Sequence, residues 1–483
     1  MNNKLIFSFI WKFLERASTQ VINLIIQIVL ARLIAPSQFG ALSILIVFVN
    51  IANIFVQKGF SSSLIRKKTA DEDDYNTAFV SAEAVAIAFY IILFFAATFI
   101  ADLYKIPELE IGLRIIALQL LFGAVYCVQN AILVRQMQFK KIFIRGLVAS
   151  VVSGTVGIFM AYWGFGIYAL IMQSLLNQIL SCLTVWFSVK WKPRFRFSKD
   201  RFKEIFSFGS KILISELLSY GVESLRTLLI GKRYSEEQLS YYDRGQVYPA
   251  TLMRGIYDSV SGVLLPKFSS EQDDTKRLSN DILRSVSIVM FLIFPVFTGM
   301  AAVAEPLIKV LLTDKWLPAV PFFMLFCFYQ ITYPVQGIYR QSIYAIGRSD
   351  IVLKLEIAKA VISIIALLIA IPFGVMAIAV SAVITMFAVT VLSVVVPSKL
   401  IGVKPVGILK ITYKSVLYSL VMFVSVYAEN FICINDFIKL ILQLITGVVV
   451  YILMAVLFKD TNLKYLFDSI KLIIKKFRRN ENV

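Results

Sequence analysis

The chain has 483 residues, 59% of them hydrophobic and 16% charged. Soluble domains carry about 25% charged residues, so this composition excludes a soluble globular protein, a disordered chain, a collagen and a disulfide scaffold. A polytopic all-α membrane protein remains, and 49 Lys+Arg against 30 Asp+Glu, a formal +19, then reads as loop charge rather than a nucleic-acid footprint.

A span needs about 20 apolar residues. Taken in chain order, the apolar runs have cores near 13–34, 39–57, 78–100, 110–133, 143–163, 166–188 and 207–230, followed by 247–266, 284–304, 319–345, 352–371, 375–396, 411–428 and 437–458. That predicts about fourteen transmembrane helices. Lys4 to Lys12 reads as a short interfacial segment before the first span, and Phe13 to Ile34 is span-length, with no small-residue cleavage site to make it a signal peptide. The loops alternate in charge. Lys58, Arg66 and Lys67, then Arg135 to Arg145, then the run Lys190 to Lys203, then Lys267 to Arg284 and Lys399 to Lys410 fall on one side. The opposite side holds Asp102 to Glu108, the uncharged turns at Gly164 and Gly374, and Glu429 to Asp436. The positive-inside rule places both termini in the cytoplasm, and an even number of spans requires the same. Residues 459–483 form a basic amphipathic tail expected on anionic membrane lipids.

The turn Gly164-Phe-Gly-Ile-Tyr-Ala-Leu170 resembles Pro372-Phe-Gly-Val-Met-Ala-Ile378, about 208 residues on. The segment Leu33 to Gly40 occupies the slot of Leu229 to Leu239. Spans 1–6 therefore match spans 7–12, which gives an N-terminal six-helix lobe at 1–203, a second at 204–400, two additional helices at 401–458 and the tail at 459–483. Repeated halves suggest alternating access, with the site between the halves.

Polar groups at membrane depth mark that site. Span 1 carries Arg16, Gln20, Asn23 and Gln27 on one helical face, and span 2 carries Ser43, Asn50, Asn53 and Gln57. Span 7 carries Glu216, Tyr220, Glu223 and Thr227, and span 8 carries Tyr248, Thr251, Arg254 and Asp258. These four helices hold equivalent places in the two halves. They either line a hydrophilic cavity or hydrogen-bond to one another. Asp258 is placed to pair with Arg254, and Glu223 with Arg226. No catalytic constellation appears: there is no Walker A pattern, no GxGxxG, and Asp71-Glu-Asp-Asp74 reads as a solvated charge run beside Arg66 and Lys67. With no histidine, and with Cys127, Cys182, Cys327 and Cys433 each alone in an apolar stretch, no metal or cofactor is expected.

The stretches Trp11-Lys-Phe-Leu-Glu-Arg-Ala-Ser-Thr-Gln20 and Ala31-Arg-Leu-Ile-Ala-Pro-Ser-Gln-Phe-Gly40 resemble the Wzx-type polysaccharide flippases, in the lipopolysaccharide exporter branch of the MATE-like superfamily. Gln57-Lys-Gly-Phe60, Leu64-Ile-Arg66, Arg135-Gln-Met-Gln-Phe-Lys140 and Ala345-Ile-Gly-Arg348 extend the likeness over nearly the whole chain. The resemblance implies two six-helix lobes around a central cavity in the bacterial inner membrane. It implies no enzyme activity, but translocation of a polyprenyl-diphosphate-linked oligosaccharide, with a polysaccharide polymerase as a pathway partner. Within that reading Arg16 and Arg254 suit the diphosphate, and Gln20, Asn23, Gln27, Asn50 and Asn53 suit sugar hydroxyls. A MATE-type cation-coupled drug antiporter stays open, because Glu216 and Glu223 are acids inside a span. A membrane glycosyltransferase would need a large outer loop, which this chain lacks.

Overall fold

The structure is a computed structural model that describes residues 19–67 and 69–468, apart from the side chains at positions 139, 219, 258–260, 262–263 and 399. Its described residues are helical, with no strand among them. Among the described residues twelve helices are long and apolar enough to cross a membrane. Of the fourteen spans read from sequence, the first and the eighth are not among the twelve. The first is described only as the short helix α1, Thr19–Leu33. The eighth lies in α10, Glu236–Ser270, whose Glu236, Glu237, Asp243, Arg244, Arg254 and Lys267 make it too polar.

The chain divides into two compact units, Met1–Asp243 and Arg244–Val483, and the boundary falls inside α10. In the first unit α2 (Pro36–Asn53) runs through a π turn, Ile54–Lys58, into α3 (Gly59–Arg66). The helices α4 (Glu72–Tyr104), α5 (Glu108–Ile116), α6 (Gln119–Arg135), α7 (Phe139–Tyr162), α8 (Ile167–Trp186) and α9 (Lys199–Arg233) follow. Within the first unit α9 packs on α2, α3 and α4. Small residues allow this approach. Gly59 and Gly209 face each other so closely that a Cβ on Gly209 would lie 2.8 Å from the Gly59 carbonyl oxygen. The Ser63 hydroxyl donates to the Ile205 carbonyl at 2.9 Å.

In the acidic run at the start of α4, Asp71, Glu72 and Asp73 are exposed as the sequence suggested, and Asp74 is not. Asp71 caps α4: its Oδ1 accepts from the Asp74 amide at 2.9 Å, and Asp74 Oδ2 accepts back from the Asp71 amide at 3.1 Å. Asp74 is fully buried. Lys67 Nζ sits 2.8 Å from Asp74 Oδ1 and 2.8 Å from Glu204 Oε2, and Arg201 Nη2 sits 2.7 Å from Asp71 Oδ2. A buried carboxylate needs such a partner, so the run clamps α4 to the start of α9. Burial pulls the Lys67 ammonium down, but the hydrogen bonds to Asp74 and Glu204 outweigh it and its pKa stands above the ordinary lysine value. The Asp74 amide, then Arg201, hold the Asp71 carboxyl below the usual range.

The second unit holds the rest of α10, then α11 (Thr275–Ala302), α12 (Ala304–Leu312), α13 (Val320–Ile331), α14 (Tyr333–Ala345), α15 (Ser349–Ala370), α16 (Val375–Ile401), α17 (Pro405–Ala428) and α18 (Asp436–Leu457). The last two helices are no loose appendix. Tyr418, Met422 and Val426 of α17 share a core with Phe291 of α11 and with Leu440, Tyr451 and Ala455 of α18. Tyr451 Oη donates to the Phe291 carbonyl at 2.6 Å. Both tight turns singled out in the sequence begin a helix on a glycine with positive φ, Gly166 (φ 55°) before α8 and Gly374 (φ 101°) before α16. The outer faces are apolar: Phe95 is 75% exposed and Ile369 64%. Only a lipid solvent tolerates that on helix after helix.

Candidate functional site

The polar stripes divide between the two units, and each is described where it lies. In the first unit, α1 packs Ile26 against Gly154 of α7, where a Cβ would lie 2.1 Å from the Ile26 side chain. That fixes the helix about its axis. It leaves Gln20 exposed and Asn23 and Gln27 half-buried. Arg16 lies outside the described residues.

The α2 stripe does not act as one face. The π turn at Ile54–Lys58 inserts a register shift in its middle. Above the turn, Asn50 Nδ2 donates to the Tyr220 hydroxyl of α9 at 3.0 Å. Within the turn, Gln57 Nε2 donates to Asn53 Oδ1 at 3.0 Å, and this pair sits against α6. Gly123 of α6 makes room for it: a Cβ there would lie 2.5 Å from Gln57 Nε2 and 3.3 Å from Asn53 Oδ1. The Cys127 thiol donates to the Gln57 carbonyl, Sγ to oxygen 3.4 Å. Asn53 and Gln57 are thus taken up by each other and by the π turn, whereas Asn50 and Tyr220 bridge α2 to α9.

On α9, Glu216 lies 4.0 Å from Lys58 Nζ, with both side chains about half exposed. Glu223 is exposed. The ion pair expected between Glu223 and Arg226 is not formed among the described residues. Arg226 is instead buried, only 5% exposed, with no partner for its Nε. A guanidinium left in that state is costly and is maintained by function more often than by packing. A charge in the middle of a span is its signal in the sequence, but the nearby acid masked it. Gln129 on α6 was missed altogether: it is fully buried, and neither its Nε2 nor its Oε1 has a partner. A single amide in an apolar run gives little signal.

In the second unit Arg254 is exposed on α10, with no ion pair or hydrogen bond among the described residues. The Asp258 side chain, its expected partner, lies outside the description. One turn further on, Tyr257 stacks edge-on against Tyr333 with ring centroids 5.1 Å apart, and its ring fills the space over Gly337. The aromatic pair holds the middle of α10 against the start of α14 and so steadies the helix that presents Arg254. No group of His, Cys, Asp and Glu able to hold a metal occurs among the described residues.

The family model described as "Polysaccharide biosynthesis protein" matches residues 29–321. Succinoglycan biosynthesis transport protein ExoT of Rhizobium meliloti (strain 1021) is 24% identical over 311 residues, 64% of this chain and 63% of the relative. Teichuronic acid biosynthesis protein TuaB of Bacillus subtilis (strain 168) is 23% identical over 302 residues, 62% of each chain. Lipopolysaccharide biosynthesis protein WzxC of Escherichia coli (strain K12) is 22% identical over 356 residues, 72% of this chain and 71% of the relative. The matches to ExoT and TuaB thus span less than two thirds of those proteins' length. Among solved structures, the lipid II flippase MurJ in its inward closed conformation superposes with a TM-score of 0.77 at 16% identity, covering 94% of this chain and 99% of that one. An inward-facing MATE multidrug transporter of the MOP superfamily gives a TM-score of 0.64 at 16% identity, covering 81% and 98%. The fold is therefore that of the MurJ and MATE transporters, all-helical and polytopic. With the family match covering more than half its length, the chain belongs to the polysaccharide biosynthesis protein family.

Proposed function

We propose that this protein is a flippase that carries a polyprenyl-diphosphate-linked oligosaccharide from the inner to the outer leaflet of a bacterial cytoplasmic membrane, for assembly of a surface polysaccharide. The observation that carries the proposal is Arg254, a guanidinium left exposed on a helix of an otherwise apolar bundle, with no ion pair or hydrogen bond among the described residues. A diphosphate is the lipid-borne group that a planar, permanently charged fork recognises best. Arg16 and Asp258 complete the charged set of the site. Gln20, Asn23, Gln27, Asn50, Asn53, Gln57, Glu216, Tyr220 and Glu223 supply amides, a hydroxyl and carboxylates suited to sugar hydroxyls. Asn50 with Tyr220, and Asn53 with Gln57, each hold one hydrogen bond to one another and offer a sugar their remaining donors and acceptors.

Alternating access then moves the six-helix lobes 1–203 and 204–400 against each other, with 401–458 carried as an extra pair. The positive-inside bias puts both termini in the cytoplasm and the basic tail 459–483 on anionic lipids. A polymerase of the same pathway receives the product. The reaction breaks no bond, so no catalytic residue is assigned.

The test is Arg254→Ala in the natural host, with the amount of protein in the membrane matched to wild type. Surface polysaccharide is expected to fall at least about tenfold, as for the loss of one charge-assisted contact, and lipid-linked repeat units to accumulate on the cytoplasmic leaflet. Normal export refutes the assignment of Arg254. A deletion strain that exports normally yet becomes sensitive to cationic dyes favours the drug-antiporter reading, for which Glu216 and Glu223 are the acids to examine.

A further inference from the structure

The helices α14 and α15 of the second unit leave a small, open cleft between them, floored by α16. Gln336, Tyr339, Arg340, Glu356, Lys359 and Ser393 line it. Its back wall is fixed: Gln336 Nε2 donates to Thr390 Oγ1 at 2.7 Å and to the Met386 carbonyl at 3.3 Å. Arg340 Nη2 sits 2.9 Å from Glu356 Oε1. That ion pair holds Arg340 in the cleft. Glu356 is the single carboxylate in the lining, and that pair neutralises it.

Two groups are left over. Lys359 is half-buried in the lining and has neither an ion pair nor a hydrogen bond among the described residues. Tyr339 is fully buried, and its hydroxyl has no partner. An uncompensated ammonium and an orphaned donor in one cleft are costly in an apolar bundle. Both costs vanish if an anion with several acceptor oxygens enters.

The surroundings say where that anion comes from. One face of the remainder of α15 is lipid-facing: Leu368 is 60% exposed and Ile369 64%. Lys359 lies ten residues into α15, which begins at Ser349, or about 15 Å along the axis. From there the long lysine stem can extend along apolar surface toward the nearer headgroup layer. We propose that this cleft binds the phosphate of an anionic phospholipid, with Lys359 Nζ and Tyr339 Oη as donors to its oxygens and the Arg340–Glu356 pair as its edge. A basic pocket between spans is a known headgroup-binding chemistry. This site is lined by residues of α14, α15 and α16, and it does not depend on what the polar stripes of α1, α2, α9 and α10 carry.

The test uses the full chain in nanodiscs of phosphatidylcholine containing a minority of phosphatidylglycerol, with native mass spectrometry to count the lipid retained. Wild type is expected to retain phosphatidylglycerol selectively. Lys359→Gln is expected to lower that retention roughly five-fold, and Tyr339→Phe roughly two-fold. Lys359→Arg keeps the charge and restores retention, which separates loss of the site from a failure to fold. Lys354→Gln, an exposed lysine on the same helix, leaves retention unchanged. Equal retention of both lipids by wild type overturns the proposal, as does an equal loss in Lys354→Gln. If inorganic phosphate displaces the lipid and raises the melting temperature in pure phosphatidylcholine, the cleft takes free phosphate and the lipid assignment fails.

Discussion

Gly40→Ala is the sharpest test of the first unit, because its cost follows from one short distance. Gly40 ends the segment Pro36-Ser-Gln-Phe-Gly40 that opens α2. A methyl group on it would lie 1.9 Å from the Glu236 carbonyl oxygen, 2.6 Å from its carbon and 3.0 Å from its Cα. Real Cβ contacts do not fall below 3.0 Å, so the start of α10 must retreat by at least about 1.1 Å. The obstacle is backbone at the first turn of a helix and cannot rotate away. The expected cost is that of overpacking, about 1–3 kcal/mol. Gly209→Ala, at 2.8 Å from the Gly59 oxygen, should cost less, and Gly59→Ala, at 3.3 Å from the Gly209 oxygen, least. Gly221 lies in the interior of α9 with nothing within 4 Å of an added Cβ. Its replacement by Ala should stabilise the helix by about 0.5–1 kcal/mol. The assay is thermal melting of the purified full chain in one detergent, followed by size-exclusion fluorescence. The expected order of melting temperatures is Gly40→Ala, Gly209→Ala, Gly59→Ala, wild type, Gly221→Ala. A Gly40→Ala protein that melts with wild type while Gly221→Ala rises would refute the close approach of α2 and α10.

Other outcomes follow from the same geometry. Asp74→Asn leaves Lys67 with Glu204 alone and removes a fully buried carboxylate from its capping box, which should cost about 2 kcal/mol in the same melt; an unchanged melt would show the clamp to be idle. The Asp71 carboxyl stands below its ordinary pKa and the Lys67 ammonium above it. The Asp71 contribution is therefore complete above the unfolded carboxylate value and disappears as pH falls through the folded one. The Lys67 contribution is complete below the unfolded lysine value and disappears as pH rises through the folded one. Melting temperature should be flat in its dependence on these groups from about pH 5 to 9, and a Lys67→Gln difference that varies across that window would contradict this. Tyr220→Phe removes the acceptor for Asn50 and should cost about 1 kcal/mol, with a matching drop in polysaccharide export; a loss of stability with normal export would make the bond purely structural. Arg226→Leu should leave stability equal or raised, since it removes a buried charge with no partner for its Nε, while export falls. A destabilised protein with normal export would reverse that reading.

Much of the fold was legible because lipid imposes a simple rule. Backbone groups in hydrocarbon must be satisfied within the helix, so apolar length nearly suffices to find a span. The runs at 166–188 and 437–458 correspond to Ile167–Trp186 and Asp436–Leu457 within two residues at each end. Where the sequence misled, a contact outside the apolar pattern decided the matter. Asp71 to Asp74 read as a loop charge run, because nothing in a linear pattern places Lys67 and Glu204 beside a buried Asp74. The packing of α9 on α3 likewise depends on Gly59 and Gly209, two single glycines that carry no periodic signal.

The site was legible in kind and less so in detail. Helical spacing grouped Asn50, Asn53 and Gln57 on one face, and an ideal α-helix would keep them there. One π turn breaks the grouping, turning Asn53 and Gln57 toward Gly123 of α6 and leaving Asn50 to Tyr220. Spacing also proposed a pair between Glu223 and Arg226, and the structure separates them by burial, the acid exposed and the base enclosed. The criterion that survives is therefore satisfaction rather than polarity. A polar residue in a span that has found a partner is explained by packing. One that has not requires a ligand or a second conformation to account for its cost. By that measure the residues that bear most on function are Arg226, Gln129 and Arg254, together with Lys359 and Tyr339 in their separate cleft. Of these five, the sequence marked only the first and the third as intramembrane charges. The other three become visible once their neighbours fail to appear.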